Sequence, residues 1–429
     1  MAERSFLSDI MRRIAGAGRR SSDETAEELD LVDLCHSLMG DEGEALGLVR
    51  ANTTLDRLEA LTDEDQLTFF TQIALEFGVD DTALQSAIEA WQPGDVDAAR
   101  NLHFAAEPQS QGLIRALNLL PGATARLVAL RAKLLTFLRE HKNLRGLDED
   151  FQHLFSSWFS RGFLEIQRID WSSTPAEILE KIIEYEAVHQ INGWEDLRQR
   201  VADPDRRLFA FFHPAMPSEP LIFVEVALTT DIPGAIEPIL NVGREQIDPE
   251  TATSAVFYSI SNCQKGLRGI SFGNFLIKQV VAELQRELPN LSTFVTLSPV
   301  PALRKWASLA VDDTESVLQD EDREALQSLE TGQMPTPEFS AHLAALYLTK
   351  AKRAKGTAYD PVAHFHLGNG AILHKVHPNA DLSPRGLENS WGVMVNYLYD
   401  GAQIETHHQA YATTRDVAAS AEVHALARN

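Results

Sequence analysis

Upstream of an aromatic cluster at Phe155, Trp158, Phe159 and Phe163, apolar residues recur at spacings of three and four, with few β-branched runs. That period predicts amphipathic helices over residues 23–151. Leu127, Leu130, Leu134 and Leu138 form the clearest stripe. Thr62-Asp63-Glu64-Asp65 ahead of Leu67, Phe69 and Phe70 is a start signal, because a threonine hydroxyl accepts from a first-turn amide and acids favour the positive end of the helix dipole. Breaks at Gln92-Pro93-Gly94, at residues 107–111 and at Pro121-Gly122 divide the region into a bundle of about six or seven helices.

Beyond the aromatic cluster the pattern shortens. Helical text at residues 176–188 gives way to β-like runs at 207–212 and 221–228, joined by the proline-rich 213–220. Prolines cannot serve a central ladder, so that segment reads as a hairpin connection. Residues 254–301 then read as strand, basic glycine-bearing loop, helix and strand, the helix carrying Leu276, Ile277, Val280, Val281, Leu284 and Leu288 at a period near 3.6. Helices follow at 302–353, with the acid-rich 312–324 as a solvated face. Residues 362–376, interrupted at Gly368-Asn369-Gly370, and residues 391–399 read as further strands. Asn-Gly between β-rich flanks signals a hairpin. The expected architecture is α+β overall: an all-α helical bundle at residues 1–155, then an α+β domain at 156–429 with a mostly antiparallel mixed sheet.

Size and charge narrow the function. A chain of 429 residues is long enough for two cores. Its formal net charge of −24 argues against a nucleic-acid-binding surface, which needs clustered Lys and Arg. A small anion remains possible, since Lys265 and Arg268 supply a local basic pocket. No apolar run approaches the length of about 20 residues needed to span a bilayer, nor is there a secretory signal core. Residues 1–20 carry five arginines against Glu3 and Asp9 with apolar positions at helical spacing, a faint transit-peptide pattern for which a solvated first helix is the simpler reading. Two cysteines, Cys35 and Cys263, fit a reducing compartment, and the cytoplasm is expected.

Three segments carry candidate chemistry. Gln264-Lys265-Gly266-Leu267-Arg268-Gly269 opens onto a helix whose first amides lack intrahelical partners, a setting suited to phosphate. The loop departs from both the Walker A and the GxGxxG patterns, and resembles the pyrophosphate-binding turn of GNAT acetyltransferases. Ser298 ends the following strand, where Pro299 and Pro301 stop pairing; nothing around it resembles a nucleophile elbow. If residues 362–367 form a strand, His364 and His366 share a face, which permits a metal pair. No carboxylate or third ligand follows at a recognisable spacing apart from His374 and His377 beyond the turn, so a single histidine acting as acid or base is the easier chemistry.

Taken together, HPAMPSEPLIFVEVALT from His213, QKGLRGISFGNFLIK from Gln264, TLSPVP around Ser298 and DPVAHFHLGNGA from Asp360 closely resemble the malonyl-CoA decarboxylase family. The resemblance covers essentially the whole chain. It implies an acetyltransferase-like second domain in which Arg268, Gly269, Ile270, Ser271, Phe272, Gly273, Asn274 and Ile277 contact coenzyme A. It makes Ser298 and His366 the catalytic pair, serine engaging the malonyl group and histidine donating a proton. Asn396 and Tyr397 match a family motif in a supporting role. The implied reaction is decarboxylation of malonyl-CoA to acetyl-CoA through a thioester enolate, with no metal and no cofactor beyond the coenzyme A of the substrate. A homo-oligomer formed through the helical domain is expected. Rival readings are an acyl-CoA-dependent acyltransferase and a non-catalytic acyl-CoA-binding protein.

Overall fold

The structure, a computed structural model, describes residues 29–40, 44–270, 276–330 and 333–428. It contains two compact units: Met1–Leu164 with His213–Glu219 and Gln264–Ser271, and Glu165–Phe212 with Pro220–Cys263 and Phe272–Asn429. The first unit thus takes back the proline-rich connection and the basic loop from the second half of the chain.

Eight α-helices build the first unit among the described residues, from Leu31–Leu38 to Arg145–Trp158. Their starts are set locally: Thr62, Asp80 and Asp95 each accept a first-turn amide through the side chain. Leu55, Phe70, Ile73, Phe77, Leu113, Leu127, Leu134, Phe151 and Phe155 fill the core, each such side chain contributing about 1.5–3 kcal/mol on burial. The packed face of the helix Ala123–Phe137 holds Leu127, Val128 and Leu134 together with a charge, Arg131.

The second unit is built on one eight-stranded sheet. Its strands are β1 (Glu165–Ile169), β2 (Arg206–Phe212), β3 (Ile222–Thr229), β4 (Ser254–Asn262), β5 (Thr293–Thr296), β6 (Ser298–Pro299), β7 (Ile372–His377) and β8 (Met394–Leu398). They run in the order β1-β2-β3-β4-β5-β8-β6, with β7 also on β8. Only β4 and β5 pair in parallel, as a crossover through the helix Leu276–Glu287 requires; every other pair is antiparallel. β2 and β3 are apolar almost throughout because both faces of the sheet are covered. The register of β3 and β4 shifts at Glu225/Val226. There the buried Glu225 accepts from Tyr258 Oη at 2.6 Å and from Arg200 Nη1 at 3.4 Å.

One expected strand is a helix. Residues Pro361–Gly368 are helical, and only Ile372–His377 of the expected 362–376 run is extended. Asp360 accepts from the Ala363 amide and Pro361 occupies the first turn, a helix start that outweighs the β-like residues after it. Asn369-Gly370 is accordingly a helix stop and not a hairpin: Gly370 has φ +83° and its amide donates to Leu367 O. A Cβ on Gly370 would lie 2.1 Å from the Ile404 carbonyl oxygen, so the position requires glycine.

Candidate active site

Ser298 and His366 come together from opposite ends of this unit's topology. Ser298 lies in β6, just past the parallel strand β5, and pairs with Val395 of β8. His366 lies in the last turn of the helix Pro361–Gly368. Ser298 Oγ and His366 Nε2 are 3.3 Å apart, and both side chains are buried.

The surrounding groups define which nitrogen carries the proton. Ser298 Oγ donates to Thr296 Oγ1 at 2.8 Å, and Tyr399 Oη stands 2.8 Å from His366 Nδ1. Burial holds the Tyr399 phenol well above its usual range, so it is a donor there. With Tyr399 donating to Nδ1, the ring's own proton sits on Nε2 and faces Ser298. The imidazole is only 3% exposed, and burial pushes its pKa down to about 3. It is therefore neutral at rest.

Thr296 and β8 fix this arrangement. Thr296 Oγ1 accepts from the Tyr397 amide at 3.1 Å, taking the place of a ladder carbonyl. Tyr397 stacks on His366 with ring centroids 4.5 Å apart at 23°, and its hydroxyl has no hydrogen-bond partner among the described residues. Asn396, one residue earlier, projects from the opposite face of β8. Its Nδ2 donates to Thr296 O at 2.8 Å and Pro233 O at 3.3 Å, and its Oδ1 meets His377 Nε2. Both residues of that motif thus bear on the serine–histidine pair, one through stacking and one through the backbone two residues before Ser298.

His364 and His366 do not form a metal pair. On a helix, residues two apart point to different sides, and His364 Nδ1 instead meets Tyr411 Oη at 2.9 Å. No cluster of three or more His, Cys, Asp or Glu suited to a metal occurs among the described residues.

The basic loop belongs to the helical unit. A 3-10 turn, Lys265–Leu267, is followed by Gly269 at φ +86°. Gly266, Leu267 and Ile270 are buried, whereas Lys265, Arg268 and Gly269 are exposed. The amides of Leu267, Arg268 and Ile270 donate to carbonyls within the loop, so an anion would meet other donors. Ser271, Phe272, Gly273 and Asn274 lie outside the described residues. Ile277 is 1% exposed, on the packed face of the helix Leu276–Glu287.

Pattern reading passed over three residues at these sites. Tyr399 was legible as the i+2 neighbour of Tyr397 on one strand face. Thr296 carried no signal of its own. Arg131 announced itself as a charge between Leu127 and Leu134 in a core stripe.

The neutral serine–histidine pair buried in the mixed-sheet α+β unit can donate hydrogen bonds and pass a proton. Residues 162–429 match the malonyl-CoA decarboxylase C-terminal domain, and residues 77–159 match the malonyl-CoA decarboxylase N-terminal domain. The chain belongs to the malonyl-CoA decarboxylase family. It is 36% identical to the mitochondrial malonyl-CoA decarboxylase of Anser anser anser over 363 residues, 76% of this chain and 71% of that protein. The Rattus norvegicus enzyme is likewise 36% identical, over 77% of this chain and 73% of its own length. Crystal structures of malonyl-CoA decarboxylase from Rhodopseudomonas palustris (49% identity, TM-score 0.87, covering 94% of this chain and 99% of that one) and Agrobacterium vitis (47%, 0.87, 94% and 100%) are similar throughout.

Proposed function

We propose that this protein decarboxylates malonyl-CoA to acetyl-CoA, with Ser298 and His366 at the reacting group and coenzyme A held along residues 268–274 and at Ile277. The observation that carries this reading is the buried 3.3 Å approach of Ser298 Oγ to His366 Nε2 in a chain of this family.

The reaction breaks the bond between the α-carbon and the carboxylate, releases carbon dioxide and leaves a thioester enolate. One proton must then reach the α-carbon, so each turnover consumes one proton. Ser298 donates to the malonyl carboxylate and turns it out of the thioester plane, which aligns the breaking bond with the π system. A bound carboxylate beside the neutral imidazole raises its basicity, and His366 takes up a proton as substrate binds. Once carbon dioxide has left, Nε2 delivers its proton to carbon and leaves the ring neutral with its remaining proton on Nδ1, and tautomer exchange restores the Nε2–H form before the next turnover. These steps ask for hydrogen-bond donors and one acid, and coenzyme A as part of the substrate is the only cofactor in this proposal.

Incubation with malonyl-CoA alone tests the reading. A decarboxylase forms acetyl-CoA without an acceptor, a transferase waits for an amine, and a binding protein turns nothing over. Ser298→Ala and His366→Asn are each expected to lower kcat by about 10²- to 10⁴-fold. Near-normal carbon dioxide release from either variant would sink the assignment.

No described helix is long and apolar enough to cross a membrane, and the buried Cys35 and Cys263 suit a reducing cytoplasm. A homo-oligomer through the helical unit is supported by the helices Asp81–Ala90 and Val96–Ala105, which bury no residue fully and leave Ile88, Trp91, Val96 and Phe104 exposed. Light scattering of the wild type and of Trp91→Glu tests that interface; an unchanged mass for the variant argues against it.

A further inference from the structure

Arg131 is a charged side chain inside the core of the helical unit, 1% exposed. A buried guanidinium is costly unless its donors are satisfied, so its partners show what it is there to hold. Nε donates to Asp148 Oδ1 at 2.8 Å. Nη1 donates to the main-chain carbonyls of Gly266 at 2.6 Å and Arg268 at 3.0 Å. Asp148 also accepts from Gln152 Nε2 at 2.6 Å. Gln152 Oε1 in turn stands 3.5 Å from where a Cβ on Gly269 would lie. Gly266 presses directly on the helix Ala123–Phe137, since a Cβ there would lie 1.8 Å from the Val128 carbonyl oxygen.

Packing alone does not call for this residue, because an apolar side chain would fill the same space without needing partners. A planar guanidinium is the group that grips a carboxylate and two carbonyls at once. Its grip has a directional consequence. In a trans peptide the N–H points opposite to the C=O. With the Arg268 carbonyl drawn inward to Arg131, the Gly269 amide of the same peptide is turned away from the core. The side chains of Lys265 and Arg268 are exposed on this loop.

We propose that Arg131, held by Asp148, is a positioning residue for coenzyme A binding: it sets the backbone of residues 266–269 so that the Gly269 amide and the Arg268 side chain meet the phosphates of the coenzyme. This rests on the proposed binding of coenzyme A along the loop. The helical unit then does more than pack or associate, because it supplies the clamp that shapes a binding loop from the second half of the chain.

The test uses the full-length protein, with Arg131→Gln, Arg131→Lys, Asp148→Asn and, as a direct loop control, Arg268→Ala. The readouts are the Kd for coenzyme A by calorimetry, KM and kcat with malonyl-CoA, and kcat/KM with malonyl-pantetheine, which lacks the phosphates. Arg131→Gln is expected to raise Kd and KM together by about 10-fold or more while kcat stays within about twofold, the pattern of lost uniform binding. Arg131→Lys recovers part of that loss, and malonyl-pantetheine is turned over equally by the wild type and both variants. A general structural defect would lower turnover of both substrates, and that result overturns the proposal. So does an unchanged Kd in Arg131→Gln when Arg268→Ala raises it. If Arg131→Gln does not fold, Asp148→Asn decides, since it keeps the guanidinium and loosens its anchor: a rise of about threefold or more in Kd supports the clamp, and no rise refutes it. If Arg268→Ala also leaves Kd unchanged, the loop is not the coenzyme A site and both readings fall.

Discussion

At His366 the two ring nitrogens have separate tasks. Nδ1 accepts from the Tyr399 hydroxyl at 2.8 Å, and Nε2 faces Ser298. Removing the hydroxyl while keeping the ring isolates the first task. Tyr399→Phe is expected to lower kcat by about 10- to 100-fold with little change in KM, because the ring can then place its proton on the wrong nitrogen. Steady-state kinetics with malonyl-CoA measure this, and an unchanged kcat would show that Ser298 alone orients the ring.

The helix Pro361–Gly368 carries that histidine and depends on Asp360 at its start. Asp360 Oδ1 accepts from the Ala363 amide at 2.8 Å, and Oδ2 accepts from Tyr347 Oη at 3.2 Å. Burial raises its pKa to about 6. Asp360→Ala removes the cap and leaves a buried phenol without its partner, a loss of about 1–3 kcal/mol that thermal denaturation will register. Asp360→Asn keeps the capping acceptor on a side chain of the same size and is expected to retain more of the stability and activity. Equal Tm losses in the two variants would argue that the charge, and not the cap, holds the helix.

Two properties belong to the molecule as a whole. Cys35 and Cys263 are both buried, and burial lifts the Cys35 thiol to about 12. A thiol reagent is therefore expected to label neither cysteine in the native protein and both after denaturation; rapid native labelling would contradict the packing. Stability should also depend on pH with opposite signs at two groups. His366, lowered to about 3, contributes stability that is full above its ordinary pKa and is lost as pH falls toward 3. Glu225, raised by burial to about 8, contributes stability that is full below its ordinary pKa and is lost as pH rises through 8. Calorimetry between about pH 6 and pH 9 should show Tm declining in the wild type and a flatter curve in Glu225→Gln. A wild-type curve without that decline would contradict the protonated, buried state of Glu225.

The sequence by itself determined the helical first half, the strands β2, β3 and β4, the basic loop and the helix after it, because period, caps and prolines act over a few residues. The family motifs singled out Ser298 and His366. Local pattern misjudged the element that carries His366, although Asp360-Pro361 was already a helix start. The 3.3 Å serine–histidine approach joins residues 68 apart in sequence, and the Arg131 grip on Gly266 spans 135. Contacts at such separations leave no periodic trace, so only the tertiary structure decided them. The same holds for charge: an isolated histidine or glutamate has its ordinary pKa, and it is burial by distant parts of the chain that lowers the pKa of His366 and raises that of Glu225.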